Sequence, residues 1–227
     1  MRSLTTSGAP SKPKKQKAIW LQGITCHGNT HAFLSHERSE REAFLALYEL
    51  IHPHLDPPIS YVRQQEPFDL LIIEGALPTA TGVYWAGGED LLYLAQRLIR
   101  LARAIILAGS CAVFGGVHRL GREEATGLLS AGEEDKGWLE SQGVSSLAKI
   151  IALPGCPVHP AWIIQSGVAL ALGVELLCDE KHRPLAYYGM TVHEGCTRCE
   201  AFEWKIEADR FGSAQGCLFY HQGCRGP

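Results

Sequence analysis

Three short loops carry the residues best suited to chemistry. Gly23-Ile24-Thr25-Cys26, Gly109-Ser110-Cys111 and Pro154-Gly155-Cys156-Pro157 each set a thiol close to a glycine, and each follows directly on an apolar run. The runs are Ala18–Gln22 (AIWLQ), Ala104–Ala108 (AIILA) and Lys149–Leu153 (KIIAL). A fourth run, Phe68–Ile73 (FDLLII), opens into Glu74-Gly75-Ala76-Leu77-Pro78 without a cysteine. Nearly continuous β-branched and leucine-rich runs that end on glycine predict parallel strands buried on both faces. Residues just past the carboxyl ends of such strands share the edge of an open α/β sheet where ligands bind. A lone cysteine is most often a small buried hydrophobe, but three at equivalent strand ends point to a common ligand. Three thiolates suit zinc or an iron–sulfur cluster, and spacing alone does not separate the two.

A second constellation lies near the C-terminus. His193-x-x-Cys196-x-x-Cys199 is followed by Cys217 and Cys224. A mixed nitrogen and sulfur set closed over a short stretch suits zinc or a cluster with His/Cys ligation. Cys178, at an apolar–acidic junction, is expected to pack rather than ligate. Glu74, directly after a buried strand, is expected to accept hydrogen bonds from loop amides. There is no Gly-x-Gly-x-x-Gly and no Walker loop, so nucleotide binding has no support. The Gly87-Gly88 and Gly115-Gly116 pairs read as turns.

Helical patterns separate the strands: Glu37–Ile51, Glu89–Arg103, a weaker one around Asp135–Leu147, and Pro160–Leu172 with Pro160 placed for a first turn. Strand, loop, helix, strand predicts right-handed βαβ units in a doubly wound α/β sheet. Three regions follow: a flexible leader over 1–17, an α/β domain over 18–185, and a Cys/His/Gly-rich segment over 186–227 with little periodicity.

The chain has 227 residues, 46% hydrophobic and 20% charged, which supports a sizeable core. A net charge of −3 argues against a nucleic-acid partner, and the basic run Lys12, Lys14, Lys15, Lys17 reads as part of a solvated leader. No stretch approaches the ~18–20 apolar residues of a membrane span. The opening Met-Arg-Ser-Leu-Thr-Thr-Ser has neither an apolar run nor a twin arginine, so no export signal is read there. The expected location is the cytoplasm, with any membrane association made through a partner. In a reducing compartment, eight cysteines are expected as metal or cluster ligands rather than disulfides.

Five ordered motifs resemble those of nickel–iron hydrogenase small subunits. They are Trp20-Leu21-Gln22-Gly23-Ile24-Thr25-Cys26-His27-Gly28-Asn29, Glu74-Gly75-Ala76-Leu77-Pro78, Gly109-Ser110-Cys111-Ala112-Val113-Phe114-Gly115-Gly116, Leu153-Pro154-Gly155-Cys156-Pro157, and the tail running from Tyr188 through Gly195-Cys196 to Gly216-Cys217 and Gly223-Cys224. The resemblance covers 18–227. It implies a flavodoxin-like domain whose Cys26, Cys111 and Cys156 hold a proximal iron–sulfur cluster, of four-iron or three-iron type. It implies a distal cluster on His193, Cys196, Cys217 and Cys224, with Cys199 a further candidate. The nickel–iron centre would sit on a large partner subunit, so no catalytic residue is expected here. Electrons from dihydrogen would leave to an acceptor protein or quinone, from a higher oligomer of heterodimers.

The family pattern has Cys-x-x-Cys in the first motif, where this chain has Asn29. The resemblance then leaves the Asn29 amide oxygen, a water or a distant residue as fourth proximal ligand, or a three-iron cluster. This replacement points to the cytoplasmic uptake branch. A hydrogen-sensing subunit, and a zinc-stabilised module without redox function, are the alternative readings. Family members continue past the position of Pro227 with a segment that holds a medial cluster, so the cluster-binding segment over 186–227 is expected to be incomplete.

Overall fold

The computed structural model describes residues 14–51, 66–119, 124–132, 136–143 and 148–224. Two compact units divide the chain, Met1–Leu176 and Leu177–Pro227. The first holds five parallel strands: β1 (Gln16–Gln22), β2 (Tyr48–Ile51), β3 (Phe68–Glu74), β4 (Ala102–Ala108) and β5 (Lys149–Leu153), in the order β2-β1-β3-β4-β5. This is the flavodoxin-like order, with ligand sites expected at the strands' carboxyl ends. Ile19 pairs with Leu71, Leu71 with Ile105, and Ile105 with Ile150, so apolar residues form rows across the sheet.

Helices cover both faces. Ile19, Leu21, Leu71, Ile73, Ile105 and Leu107 share one core with Leu94, Leu98 and Ile99 of α3 (Leu91–Leu101). That helix starts where the Asp90 carboxylate accepts the Leu92 N–H at 2.9 Å, a side-chain cap for an otherwise orphan donor. Side chains alternate along a strand, so Trp20 faces the other way. It meets Phe33 of α1 (Gly28–Ser35) at 5.1 Å between ring centroids, Phe33 meets Phe44 of α2 (Arg38–Leu47) at 5.7 Å, and Phe44 meets Tyr48 at 4.8 Å. The helix α4 (Pro160–Ala171) closes this face. A Cβ on its Gly167 would lie 2.4 Å from the Phe44 ring, so only glycine permits this approach. The Gly167 carbonyl also accepts the Tyr48 hydroxyl at 3.0 Å.

The helix expected over Glu37–Ile51 ends at Leu47, and Tyr48–Ile51 become the edge strand β2. Tyr48 and Ile51 are buried and Tyr48–Ile51 pair with Gln16–Ile19, so tertiary pairing overrides the helical pattern. The expected leader also gives way two residues early, because Gln16 and Lys17 belong to β1 and the Lys17 N–H is held by Asp69 at 2.8 Å. Residues 1–13 lie outside the described residues. Of the weak helix around Asp135–Leu147, one turn, Trp138–Ser141, is present, while Asp135 and 144–147 lie outside the described residues.

Among its described residues the second unit has three short helical turns, Leu185–Tyr188, Cys199–Glu203 and Phe219–Gln222. Pro184, Ala208 and Gly216 are the buried residues among those described in it. Units this small need a metal, disulfides or a partner in place of an apolar core.

Candidate metal centres

Three cysteines of the first unit sit where β1, β4 and β5 end. Cys26 and Cys156 are exposed and Cys111 is partly buried. The loops are tied directly: Ser110 N–H donates to the Gly155 carbonyl at 2.8 Å, and Gly155 N–H donates to Ser110 Oγ at 3.0 Å. Burial pushes the Cys111 thiol up, and the neighbouring Cys156 and Cys26 add to this, against a backbone hydrogen bond from Val117. Cys111 therefore senses the charge of the other two sulfurs, a condition that a shared cation or cluster relieves.

Glycines keep the space around these sulfurs open. A Cβ at Gly28 would lie 3.3 Å from Cys26 Sγ, and one at Gly116, where φ is +53°, would lie 2.6 Å from Cys111 Sγ. Thiols with such clearance, gathered at one sheet edge, fit an iron–sulfur group or another thiophilic metal.

Behind the thiols lies Glu74, fully buried at the end of β3. Its Oε1 accepts the Asn29 N–H at 3.0 Å and the Thr25 hydroxyl at 3.3 Å. Its Oε2 accepts the Trp20 indole N–H at 3.2 Å, the Thr30 N–H at 3.2 Å and the Thr30 hydroxyl. The end of β3, which carries no cysteine, thus supplies the anchor for the Cys26 loop and the first turn of α1. Asn29 is 8% exposed, and its amide is occupied by backbone partners: Oδ1 accepts the Val158 N–H at 2.9 Å and Nδ2 donates to the Ala108 carbonyl at 3.2 Å.

In the second unit Cys196, Cys199, Cys217 and Cys224 are partly buried and His193 is exposed. Arg198 joins the segments: its guanidinium donates to the carbonyls of Ser213 at 2.5 Å and Gly216 at 2.6 Å. The sulfurs of Cys196 and Cys217 accept N–H groups from Arg198 and Phe219, both at 3.4 Å. Burial and the nearby Glu203, Cys196 and Cys217 push the Cys199 thiol up. His193, Cys199 and Glu203 offer ligand atoms within 4.8 Å of one another. The structure therefore brings Cys199, a further candidate in the sequence, next to His193. Glu203 was missed by sequence reading. The signal for it is the helical spacing from Cys199 to Glu203, which puts both on one face of a turn. Cys178 instead forms a backbone bridge with Pro184.

Residues 26–170 match the model of the NADH ubiquinone oxidoreductase 20 Kd subunit, and residues 188–227 match that of the C-terminal region of the NiFe/NiFeSe hydrogenase small subunit. The periplasmic [NiFe] hydrogenase small subunit of Solidesulfovibrio fructosivorans is 33% identical over 163 residues, 69% of this chain and 48% of that protein. The hydrogenase-2 small chain of Escherichia coli K12 is 26% identical over 96% of this chain and 60% of its own length. The chain thus spans about half to three-fifths of these relatives. A structure of the [NiFeSe] hydrogenase of Dm. baculatum superposes with a TM-score of 0.71 at 25% identity, covering 95% of this chain and 85% of that one. The fold is a flavodoxin-like parallel α/β sheet followed by a Cys/His-rich unit. The chain belongs to the family of the NADH ubiquinone oxidoreductase 20 Kd subunit, and its C-terminal segment matches that of the NiFe/NiFeSe hydrogenase small subunits.

Proposed function

We propose that this chain is the iron–sulfur electron-transfer subunit of a nickel–iron hydrogenase, acting with a large subunit that carries the nickel–iron centre. The observation that carries the reading is the meeting of Cys26, Cys111 and Cys156 at one sheet edge, close enough that Cys156 and Cys26 shift the Cys111 thiol. These three thiols would hold the proximal cluster. In the second unit His193, Cys196, Cys217 and Cys224 would hold the distal cluster, with Cys199 beside them. When bound, the clusters supply one-electron redox steps, and the chain's own residues set potential through ligand type, burial and N–H···S bonds such as those at Cys196 and Cys217. Dihydrogen oxidised on the large subunit to protons and electrons is the proposed source, and a protein or quinone the acceptor.

A partner surface is supported by the exposed Trp204, Phe211, Met190 and Tyr220 of the second unit, unusual for a small unit facing water. The uptake direction and the cytoplasmic branch, toward which Asn29 in the first motif points, complete the proposal, along with assembly of the heterodimers into a higher oligomer. The relative from Solidesulfovibrio fructosivorans is by contrast named periplasmic.

A mononuclear zinc in the second unit is the competing reading, favoured by the compact nitrogen, sulfur and oxygen set of His193, Cys199 and Glu203. Iron, acid-labile sulfide and zinc measured per chain, with electron paramagnetic resonance, test both. Iron and sulfide in both units support the proposal; zinc without sulfide overturns it.

A further inference from the structure

Between the three cysteine loops lies a side chain that family resemblance would make a ligand and geometry makes something else. Asn29 lies in the first turn of α1, three residues after Cys26, and both ends of its amide are taken. Oδ1 accepts the N–H of Val158, two residues past Cys156, at 2.9 Å. Nδ2 donates to the carbonyl of Ala108, three residues before Cys111, at 3.2 Å. Its own backbone N–H is held by Glu74 at 3.0 Å.

With the Ser110–Gly155 pair, these bonds close a triangle: the Cys26 loop to the Cys111 loop, the Cys26 loop to the Cys156 loop, and the Cys111 loop to the Cys156 loop. The backbone makes room for the amide. Gly109 has φ +93°, and a Cβ there would lie 2.4 Å from Asn29 Nδ2.

Asparagine suits this place in a way its neighbours in chemistry do not. It presents an acceptor to an N–H and a donor to a carbonyl at once. Aspartate would set a second acceptor against the Ala108 carbonyl, and alanine would leave both backbone groups without a partner in a nearly closed site.

We infer that Asn29 is a positioning residue whose side-chain amide fastens the three cysteine loops together and fixes the spacing of their thiols, and that it is not a ligand to the metal group they hold. The inference rests on the cluster reading for Cys26, Cys111 and Cys156. It assigns the three thiols as the protein ligands contributed by these loops, and it makes their geometry depend on hydrogen bonds present without metal.

The test uses the complex with its large subunit and two variants. Asn29→Asp keeps a stronger oxygen donor for iron but loses the hydrogen bond to Ala108. The expected result is a several-fold loss of the first-unit cluster signal in electron paramagnetic resonance, with the second-unit signal unchanged as internal reference. Asn29→Ala is compared with wild type after iron is chelated from both, so that metal loss is common to the two. The Val158 amide should then exchange its hydrogen about tenfold faster in the variant, the worth of one hydrogen bond. An Asn29→Asp complex with full iron and a lowered cluster potential would make Asn29 a ligand and overturn the inference. Unchanged Val158 exchange in Asn29→Ala would overturn it equally. A wild-type complex without iron and sulfide is a distinct outcome, which defeats the cluster reading and this inference with it.

Discussion

Glu74→Gln is the most informative small change to the first unit. The side chain is fully buried, and two backbone donors depend on different oxygens: Asn29 N–H on Oε1 and Thr30 N–H on Oε2. A glutamine amide has one oxygen, so one backbone N–H loses its acceptor whichever way the amide turns. The hydroxyl oxygens of Thr25 and Thr30 keep the N–H bonds they accept, from His27 N–H and Gln22 Nε2, so the count is confined to the N–H donors on Glu74. The Trp20 indole shares Oε2 with Thr30 N–H and is orphaned with it. Each buried donor left unsatisfied costs about 1–3 kcal/mol. Glutamine therefore destabilises by about 1–3 kcal/mol in its better orientation and ~2–6 kcal/mol in the other. In a domain of this size each kcal/mol lowers Tm by roughly 2–4 °C. Thermal melting followed by tryptophan fluorescence, with iron measured per chain, reads the effect, and both Tm and first-unit iron should fall. Unchanged Tm and iron content would show that Glu74 does not anchor the Cys26 loop.

Gly109→Ala forces a Cβ to within 2.4 Å of Asn29 Nδ2 at φ +93°, so it should lower first-unit iron as Asn29→Asp does, and normal iron content would contradict the packing described. Burial, with Asp69 adding to it, pushes the Tyr48 phenol up to about 12, above its unfolded value near 10. The neutral phenol therefore contributes stability that is complete below pH ~10 and lost as pH rises toward 12. Tyr48→Phe should remove that alkaline loss and cost about 1 kcal/mol at neutral pH through the bond to Gly167. An ultraviolet titration with phenolate forming at the ordinary tyrosine pH would refute the burial argument. His193→Ala should lower iron or shift the potential in the second unit alone, since imidazole in place of thiolate raises a cluster's potential. Identical redox titrations of variant and wild type would remove His193 from that site.

Much of this architecture was legible because chemistry and fold repeat together. Four apolar runs that lead into glycine marked four of the five strands of the parallel sheet, and three of those ends carry a cysteine. The fifth strand was hidden: no glycine or proline separates Leu47 from Tyr48, and four residues at a sheet edge carry too little pattern to break a helical reading. Sequence leaves Asn29 as one of several candidates for a fourth ligand, because it stands where a cysteine is expected. Its real partners are backbone groups of Ala108 and Val158, distant in the chain, and backbone groups leave no trace in residue type. Glu74 was expected to bind loop amides, and it does, but its grip on Trp20 and Thr30 needed the fold. In the second unit the ligand types were plain, whereas the approach of Glu203 to His193 depends on one short helical turn.

The central claim is that Cys26, Cys111 and Cys156 hold one redox-active iron–sulfur group. The most direct measurement is electron paramagnetic resonance, with iron and sulfide analysis, of the complex carrying Cys26→Ser, Cys111→Ser or Cys156→Ser singly. Each substitution should remove or convert the same signal and leave the second-unit signal intact. Three variants that lose different signals, or none, would contradict it.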